Sequence, residues 1–409
     1  MSKIDELIKK LCPNGVEYIK LNELLDYIQP TKYIVQNPKY KDEYDIPVLT
    51  AGQTFILGYT NEKQGVYNAN KENPVIIFDD FTASKHWVDF KFKVKSSAMK
   101  ILINKTKNSF KYIFYCMQNI KYLPKEHARQ WIQTYSEFKI PIPPLAVQRE
   151  IVRILDKFSE LEAELEAELE VRQQQYKYYE DKAFTFKDDT TKVKLSDVLI
   201  SLNTGLNPRK FFQLNTEDAK GYYVTVRELG ARQVKYWEAK DKVNQDALNR
   251  INERANLEIN DVLFSGTGTI GRVSLIEKEP KQWNVKEGVY ILKPNIEMIN
   301  PVFLMYLMKS NYMKKLYSDY IVGSPVASVP MKDLKNVEFD LPSMDEQEKI
   351  VKILDEFDKL CNNITEGLPA EIELRRKQYE YYRDKLLSFE ELKWYGFKWS
   401  NRKNKEWFR

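Results

Sequence analysis

Cysteine and histidine are nearly absent from this chain. Its 409 residues include three cysteines (Cys12, Cys116, Cys361), scattered singly, and two histidines (His86, His127). Such spacing offers neither a disulfide framework nor a zinc ribbon and fits a reducing compartment, the cytoplasm. Two imidazoles exclude a histidine-rich metal site. No run of about 18 apolar residues occurs, so no membrane-spanning helix is expected. The opening MSKIDELIKKLCPNG lacks the apolar core of a secretory signal. Also missing are a phosphate-binding P-loop and the Asn/Asp-Pro-Pro-aromatic tetrapeptide of amino-methyltransferases. The nearest glycine cluster, SGTGTIGR (265–272), satisfies G-x-G-x-x-G at Gly266, Gly268 and Gly271. It runs into the strand-like GRVSLIE rather than a helix, which removes the dinucleotide reading.

What the chain does have is a long internal repeat. PPLAVQREIVRILDKF (143–158) returns as PSMDEQEKIVKILDEF (342–357), offset by 199 residues, and RQQQYKYYEDK (172–182) returns as RRKQYEYYRDK (375–385), offset by 203. This period is too long for a solenoid and implies two copies of a domain-plus-helix unit. In the first copy Ile151, Ile154, Leu155, Phe158, Leu161, Leu165 and Leu169 form an apolar stripe at helical spacing. Within it, LEAELEAELE (161–170) has near-maximal helix propensity, and its four-residue period makes the stripe drift around the helix. A continuous helix over 148–182 would be roughly 50 Å long. The second copy is interrupted by Gly367, Leu368 and Pro369, a stop followed by a helix start. It should form two helices that run antiparallel to the first copy or pack on it.

The segments between the repeats read as mixed α/β domains. In the first, PVIIFDD (74–80), VDFKFKV (88–94) and KILIN (100–104) are predicted strands, and FKYIFYCMQ (110–118) a helix with Cys116 in its apolar body. The second repeats the rhythm with YYVTV (222–226), DVLFS (261–265), GRVSLIE (271–277), GVYILKP (288–294) and the helix FLMYLM (303–308), opened by Pro301. The predicted layout is a first domain at 1–144, a helical spacer at 145–186, a second domain at 187–342, a second spacer at 343–390 broken at 367–369, and a tail at 391–409.

Charge is unevenly placed within a net of +5. Residues 1–147 carry 21 basic against 15 acidic side chains, and 187–344 carry 23 against 20, whereas 148–186 carry 6 against 10. A nucleic acid would therefore meet the domains and be repelled by the first spacer.

Candidate contacts with bases or phosphates lie in loops. EHARQW (126–131) contributes Arg129 and Gln130, side-chain types that read guanine and adenine edges bidentately. SGTGTIGR offers Thr267 and Thr269 hydroxyls and the Gly268 backbone, although an ordinary glycine turn is an equal alternative. GSPVAS (323–328) adds Ser324. Lys85, His86, Arg209, Lys210, Arg227, Arg232 and Arg272 are further basic candidates, and only their gathering on one face would make a site. Asp79 and Asp80 are adjacent on a strand and point to opposite faces, which argues against a metal pair. Tyr176, Tyr178 and Tyr179, echoed by Tyr379, Tyr381 and Tyr382, are candidates either for partner contact or for packing one spacer on another.

The paired segments, each closed by a proline-rich turn and a helix opening Q-x-E/K-I-V, together with GTGTIGRVSLI, HARQWIQTYSEFKIPIPPL and EGLPAEIELRRKQYEYYRDKLLSF, resemble the specificity subunits of type I restriction–modification enzymes. The resemblance spans essentially the whole chain. It implies two target recognition domains held by antiparallel helical spacers with approximate twofold symmetry, reading an asymmetric, bipartite double-stranded DNA target. It also implies two methyltransferase (modification) subunits and restriction subunits as partners. S-adenosylmethionine, ATP and Mg would belong to those partners, with no cofactor or metal in this chain. The competing readings are a stand-alone methyltransferase or nuclease and a coiled-coil scaffold without DNA specificity. If the resemblance holds, the number of Leu-Glu-Ala-Glu units sets the unread gap between half-sites.

Overall fold

The leucine–glutamate–alanine run lies inside one uninterrupted helix, Leu145–Ala183, of 39 residues, about 58 Å long at 1.5 Å per residue. The second copy is two helices, Met344–Asn362 and Leu368–Leu386, the latter opened by Leu368 and Pro369. The computed structural model describes residues 2–50, 54–124, 128–186, 190–323, 325–362 and 367–392. The chain forms two compact units. One runs to Glu164 and resumes at Ile372; the other is Leu165–Glu371. The first half of the long helix therefore belongs with Leu368–Leu386, and the second half with Met344–Asn362.

Side chains follow that division. In the first unit Phe158 stacks on Tyr382 at 5.4 Å between centroids, and Arg376 Nε meets Glu162 Oε1 at 2.6 Å. Pairing 158 with 382 and 162 with 376 makes these helices antiparallel. In the second unit Phe357 stacks on Tyr179 and Tyr176. Phe158 and Phe357 are repeat-equivalent, as are Tyr382 and Tyr179, so one contact is built twice.

The domains are built twice as well. The first unit has a four-stranded antiparallel sheet in the order Leu25–Ile28, Met99–Asn104, Val75–Asp79, Lys85–Val88. The second has Leu199–Thr204, Val289–Pro294, Val262–Ser265, Val273–Leu275 in the same order. Each unit adds a three-stranded sheet whose middle strand has one antiparallel and one parallel neighbour: Ile46–Leu49 in the first, Gly221–Val224 in the second. Each also has a two-stranded ribbon, Glu17–Lys20 with Lys139–Ile142 and Thr190–Lys194 with Glu338–Pro342. The helices Phe110–Asn119 and Pro301–Lys309, capped by Ser109 and Asn300, pack their apolar faces on these sheets.

The repeated glutamine ties each domain to its spacer. Gln148 Oε1 accepts the Ser109 amide at 2.9 Å and its Nε2 donates to the Pro143 carbonyl at 2.8 Å. Gln347 does the same with the Asn300 amide at 2.8 Å and the Pro342 carbonyl at 3.0 Å. Both side chains are fully buried, so each bond satisfies a group that could not otherwise reach water. A tyrosine–aspartate bond is duplicated too, Tyr115 to Asp156 and Tyr306 to Asp355.

One predicted strand is corrected. VDFKFKV is two strand ends: the chain leaves the large sheet at Val88 and enters the small sheet at Lys93–Val94, parallel to Ile46–Leu49. Phe90 faces solvent while Lys93 is buried, because Lys93 Nζ pairs with Glu62 at 2.7 Å and donates to the Gln64 carbonyl at 2.6 Å. Val88, Phe92 and Val94 are buried as the alternation suggested; the ion pair brings Lys93 inside as well, and Phe90 is the apolar residue left outside. YYVTV also stops early, at Val224, and passes into a turn of 3₁₀ helix at Val226–Glu228.

Candidate nucleic-acid interface

In each unit the turn after the third strand of the large sheet is bonded to a second loop that leads back towards the spacer. In the first unit Asp79 fastens the turn: its Oδ1 accepts the Phe81 amide at 2.8 Å and its Oδ2 accepts the Thr82 hydroxyl at 2.6 Å. Asp80 then holds the second loop, its carbonyl accepting the Gln130 amide at 2.8 Å and its Oδ1 the Trp131 amide at 2.9 Å. Trp131 is buried edge-on against Phe78. The two carboxylates are thus turn and loop braces. Among the described residues no group of three or more metal-ligating side chains exists.

The second unit uses hydroxyl and backbone for the same job. Ser265 Oγ accepts the Arg272 amide at 2.7 Å and donates to the Thr269 carbonyl at 2.5 Å, closing the glycine loop. Gly266 is required by crowding, since a Cβ there would sit 2.0 Å from the Tyr290 ring. The Gly268 amide donates to the Ala327 carbonyl at 2.8 Å, and Thr267 bridges Ser328. Val322 and Ser328 exchange two backbone bonds of 2.8 Å, making a short hairpin. SGTGTIGR and the loop containing GSPVAS, read separately in the sequence, form one surface. Gly268 and Thr269 are exposed on it and Thr267 is half-buried.

The basic candidates divide. Arg129 is exposed and makes no ion pair or hydrogen bond among the described residues. Arg272 is exposed, with its Nη1 donating to the Val226 and Arg227 carbonyls at 3.2 Å; carbonyls leave its charge uncompensated. Arg227 is exposed beside it and pairs with Asp241 at 3.6 Å. These three remain on the surface.

Four others are drawn inside their own unit and leave the candidate surface. Gln130 is buried, accepting from the Tyr122 hydroxyl and donating to the Ala128 carbonyl. His86 stacks on Phe55 at 3.9 Å, and burial lowers its pKa. Arg232 bonds Glu277 at 2.7 Å and Asp355, clamping the second domain to the helix Met344–Asn362. Lys85 donates to the Tyr135 hydroxyl at 3.1 Å. Ser324 and the side chains of Arg209 and Lys210 lie outside the described residues, as do Glu126 and His127 and most of the tail.

Lys85 yields a pH prediction. Burial, and then repulsion from Arg383, lower its pKa to about 8. Between there and the unfolded lysine value of roughly 10.4, the unfolded chain holds the extra proton, so stability rises with pH. Lys85→Met should raise the melting temperature at pH 7, and its advantage should shrink as pH climbs through that window. Thermal unfolding at pH 7 and pH 10 checks this; equal gains at both would contradict it.

The tyrosines divide in register with the repeat. Tyr176 and Tyr379 are half-buried and pack into the cores of their units. Tyr178 and Tyr179 are 59% and 42% exposed, and their equivalents Tyr381 and Tyr382 are 62% and 41% exposed. Each pair is T-shaped and lies in an open groove with equivalent lining: Arg172, Gln175 and Phe357 in one, Arg375, Gln378 and Phe158 in the other. Matching exposure at matching positions describes one surface displayed twice.

The bracing role of Asp80, the place of Lys314 beside the glycine loop and the exposed apolar side chains of the second loops have no signal in the sequence. An apolar residue in a loop has no periodicity to reveal which way it faces.

Comparison with known proteins places this architecture. The family model described as type I restriction modification DNA specificity domain matches twice, over residues 13–171 and 187–374. The specificity subunit of the Escherichia coli type I restriction enzymes EcoR124I/EcoR124II is 40% identical over 402 residues, covering 95% of this chain and 98% of that protein. A putative type I specificity subunit of Haemophilus influenzae is 28% identical over 94% of this chain and 98% of its own length. A crystal structure of the type I S subunit from M. genitalium shares the fold, with a TM-score of 0.51 at 16% identity over 91% of this chain and 96% of that one. A chain from a structural study of type I R-M complex assembly and conformational transition gives 0.52 at 16%, covering 92% and 98%. The chain belongs to the type I restriction–modification specificity subunit family, with two copies of the specificity domain.

Proposed function

We propose that this chain is the non-catalytic sequence reader of a type I restriction–modification complex, recognising a bipartite, asymmetric duplex DNA target through its two domains. One observation carries the reading: the same sheet order and spacer contacts are built twice, while the loops they present differ. The first domain offers Arg129 on a loop held by Asp80, and the second offers a glycine loop and hairpin flanked by Arg227 and Arg272. Identical frames with unlike reading loops suit two unlike half-sites. The acidic first spacer would stand off the phosphates or face a basic partner.

The two tyrosine grooves support docking of two copies of one partner; in this family's reading the methyltransferase subunits would take that place, with restriction subunits joining them. S-adenosylmethionine, ATP and Mg chemistry would then lie in those partners. Purified alone, the chain should neither methylate nor cut DNA.

The test is salt dependence. The chain assembled with its methyltransferase subunits should lose roughly 10³-fold or more in duplex affinity between 50 and 200 mM salt, as proteins with several phosphate contacts do. Flat affinity across that range, measured by fluorescence anisotropy, would favour the scaffold reading.

A further inference from the structure

We infer that the hairpin closed by Val322 and Ser328 reads thymine methyl groups in the major groove, with Val326 as the contacting side chain; this rests on the proposed DNA-reading role of the second domain. Val326 is 59% exposed at the hairpin tip and Val322 51% exposed at its base. The backbone bonds between Val322 and Ser328, and from Gly268 to Ala327, hold the tip against the glycine loop. Gly323 makes the turn possible: its φ is +98°, and a Cβ there would sit 2.6 Å from the Val326 carbonyl oxygen. The projection of Val326 is therefore set by a braced backbone.

Charge selects the occupant. Arg272 follows the glycine loop with an uncompensated guanidinium, and exposed Lys314 lies against it, its Cε 4.0 Å from where a Gly271 Cβ would be. A hairpin with an exposed valine, bonded at Ala327 and Ser328 to a loop that carries the exposed Thr269 and runs into Arg272, suits a surface that is anionic at its edges and carries apolar points between them. The thymine C5-methyl is the apolar feature that the major groove presents, and side chains of this kind meet it there. A protein surface with a matching apolar patch is the other occupant of such a tip, and the experiment below separates the two.

The experiment uses the full complex with its methyltransferase subunits. Its methylation motif is mapped first, and duplexes are then made with uracil for thymine in the second half-site alone. The wild-type complex should bind the uracil duplex roughly fourfold more weakly for each contacted methyl, the effect expected when one buried carbon is lost. Val326→Ser should bind thymine and uracil duplexes equally, and should relax one A·T position of the second half-site while the first stays unchanged. Equal wild-type affinity for both duplexes overturns the inference and leaves DNA reading intact. So does a Val326→Ser chain that fails to hold its methyltransferase subunits yet still binds the thymine duplex more tightly than the uracil one, which would make the tip a protein contact. A wild-type complex with no sequence preference anywhere would instead remove the proposed function beneath it.

Discussion

Deleting Glu162 to Leu165 should shorten the unread gap of the target by one or two base pairs and leave both half-site sequences untouched. The deleted residues lie inside the helix Leu145–Ala183, and four residues account for about 6 Å of it, against about 3.4 Å per base pair of duplex. The repeat makes the deletion chemically quiet. After it, Leu161 is followed by Glu166, Ala167 and Glu168, the residue types just removed, so a glutamate again stands where Glu162 met Arg376 at 2.6 Å. The frame that each domain uses lies outside the deleted residues: the Gln148 and Gln347 bonds and the Tyr115–Asp156 and Tyr306–Asp355 pairs. Length should therefore change while reading does not. Methylation mapping of cells carrying the deleted form with its partner subunits decides it. An unchanged gap removes the ruler, and altered half-site sequences would mean that the reading domains are misassigned.

Much of this frame was legible because it rests on local rules. Ile151, Leu155 and Phe158 mark a helical face, Pro301 marks a helix start, and the glycine–leucine–proline at 367–369 marks a break; each effect acts within a turn of its own residue. The repeated glutamine was visible as a repeat, but its role was not, because its partners Ser109 and Asn300 lie 39 and 47 residues away. The site was less legible for the same reason. Arg232 looked like a surface cation, yet its partners Glu277 and Asp355 are 45 and 123 residues distant. Nothing local distinguishes it from Arg272, which stays outside. Lys93 departed from the expected alternation because an ion pair satisfied it inside, and Lys85 left the candidate surface because a tyrosine hydroxyl accepts its hydrogen bond there. Val326 escaped notice for the opposite reason, an apolar residue left outside by a hairpin that needs Gly323. Long-range polar pairing and loop projection are the two things that periodicity does not encode.

The largest stability effect is expected at Asp80 and Lys100. Their side chains are 1% and 2% exposed and 3.6 Å apart. Lys100 Nζ also donates to Gln29 Oε1 at 2.6 Å and lies over the Tyr27 ring, while Asp80 Oδ1 accepts the Trp131 amide at 2.9 Å. Removing one partner strands the other charge in the interior. Asp80→Ala should therefore cost about 3–5 kcal/mol, a large share of the roughly 5–15 kcal/mol that holds a domain together. It also releases the Trp131 amide and with it the loop that carries Arg129, so readout of the first half-site should fail before that of the second. Lys100→Met keeps the volume but leaves Asp80 with one amide partner, and should cost a similar amount. The double variant Asp80→Ala with Lys100→Met removes both charges together. It should be less destabilised than either single change, because buried pairs are coupled and their losses do not add. Denaturant unfolding of the full-length wild type, two singles and the double closes the cycle. Losses that simply add would show that the two charges are solvated independently, and that Asp80 braces the reading loop through its hydrogen bonds alone.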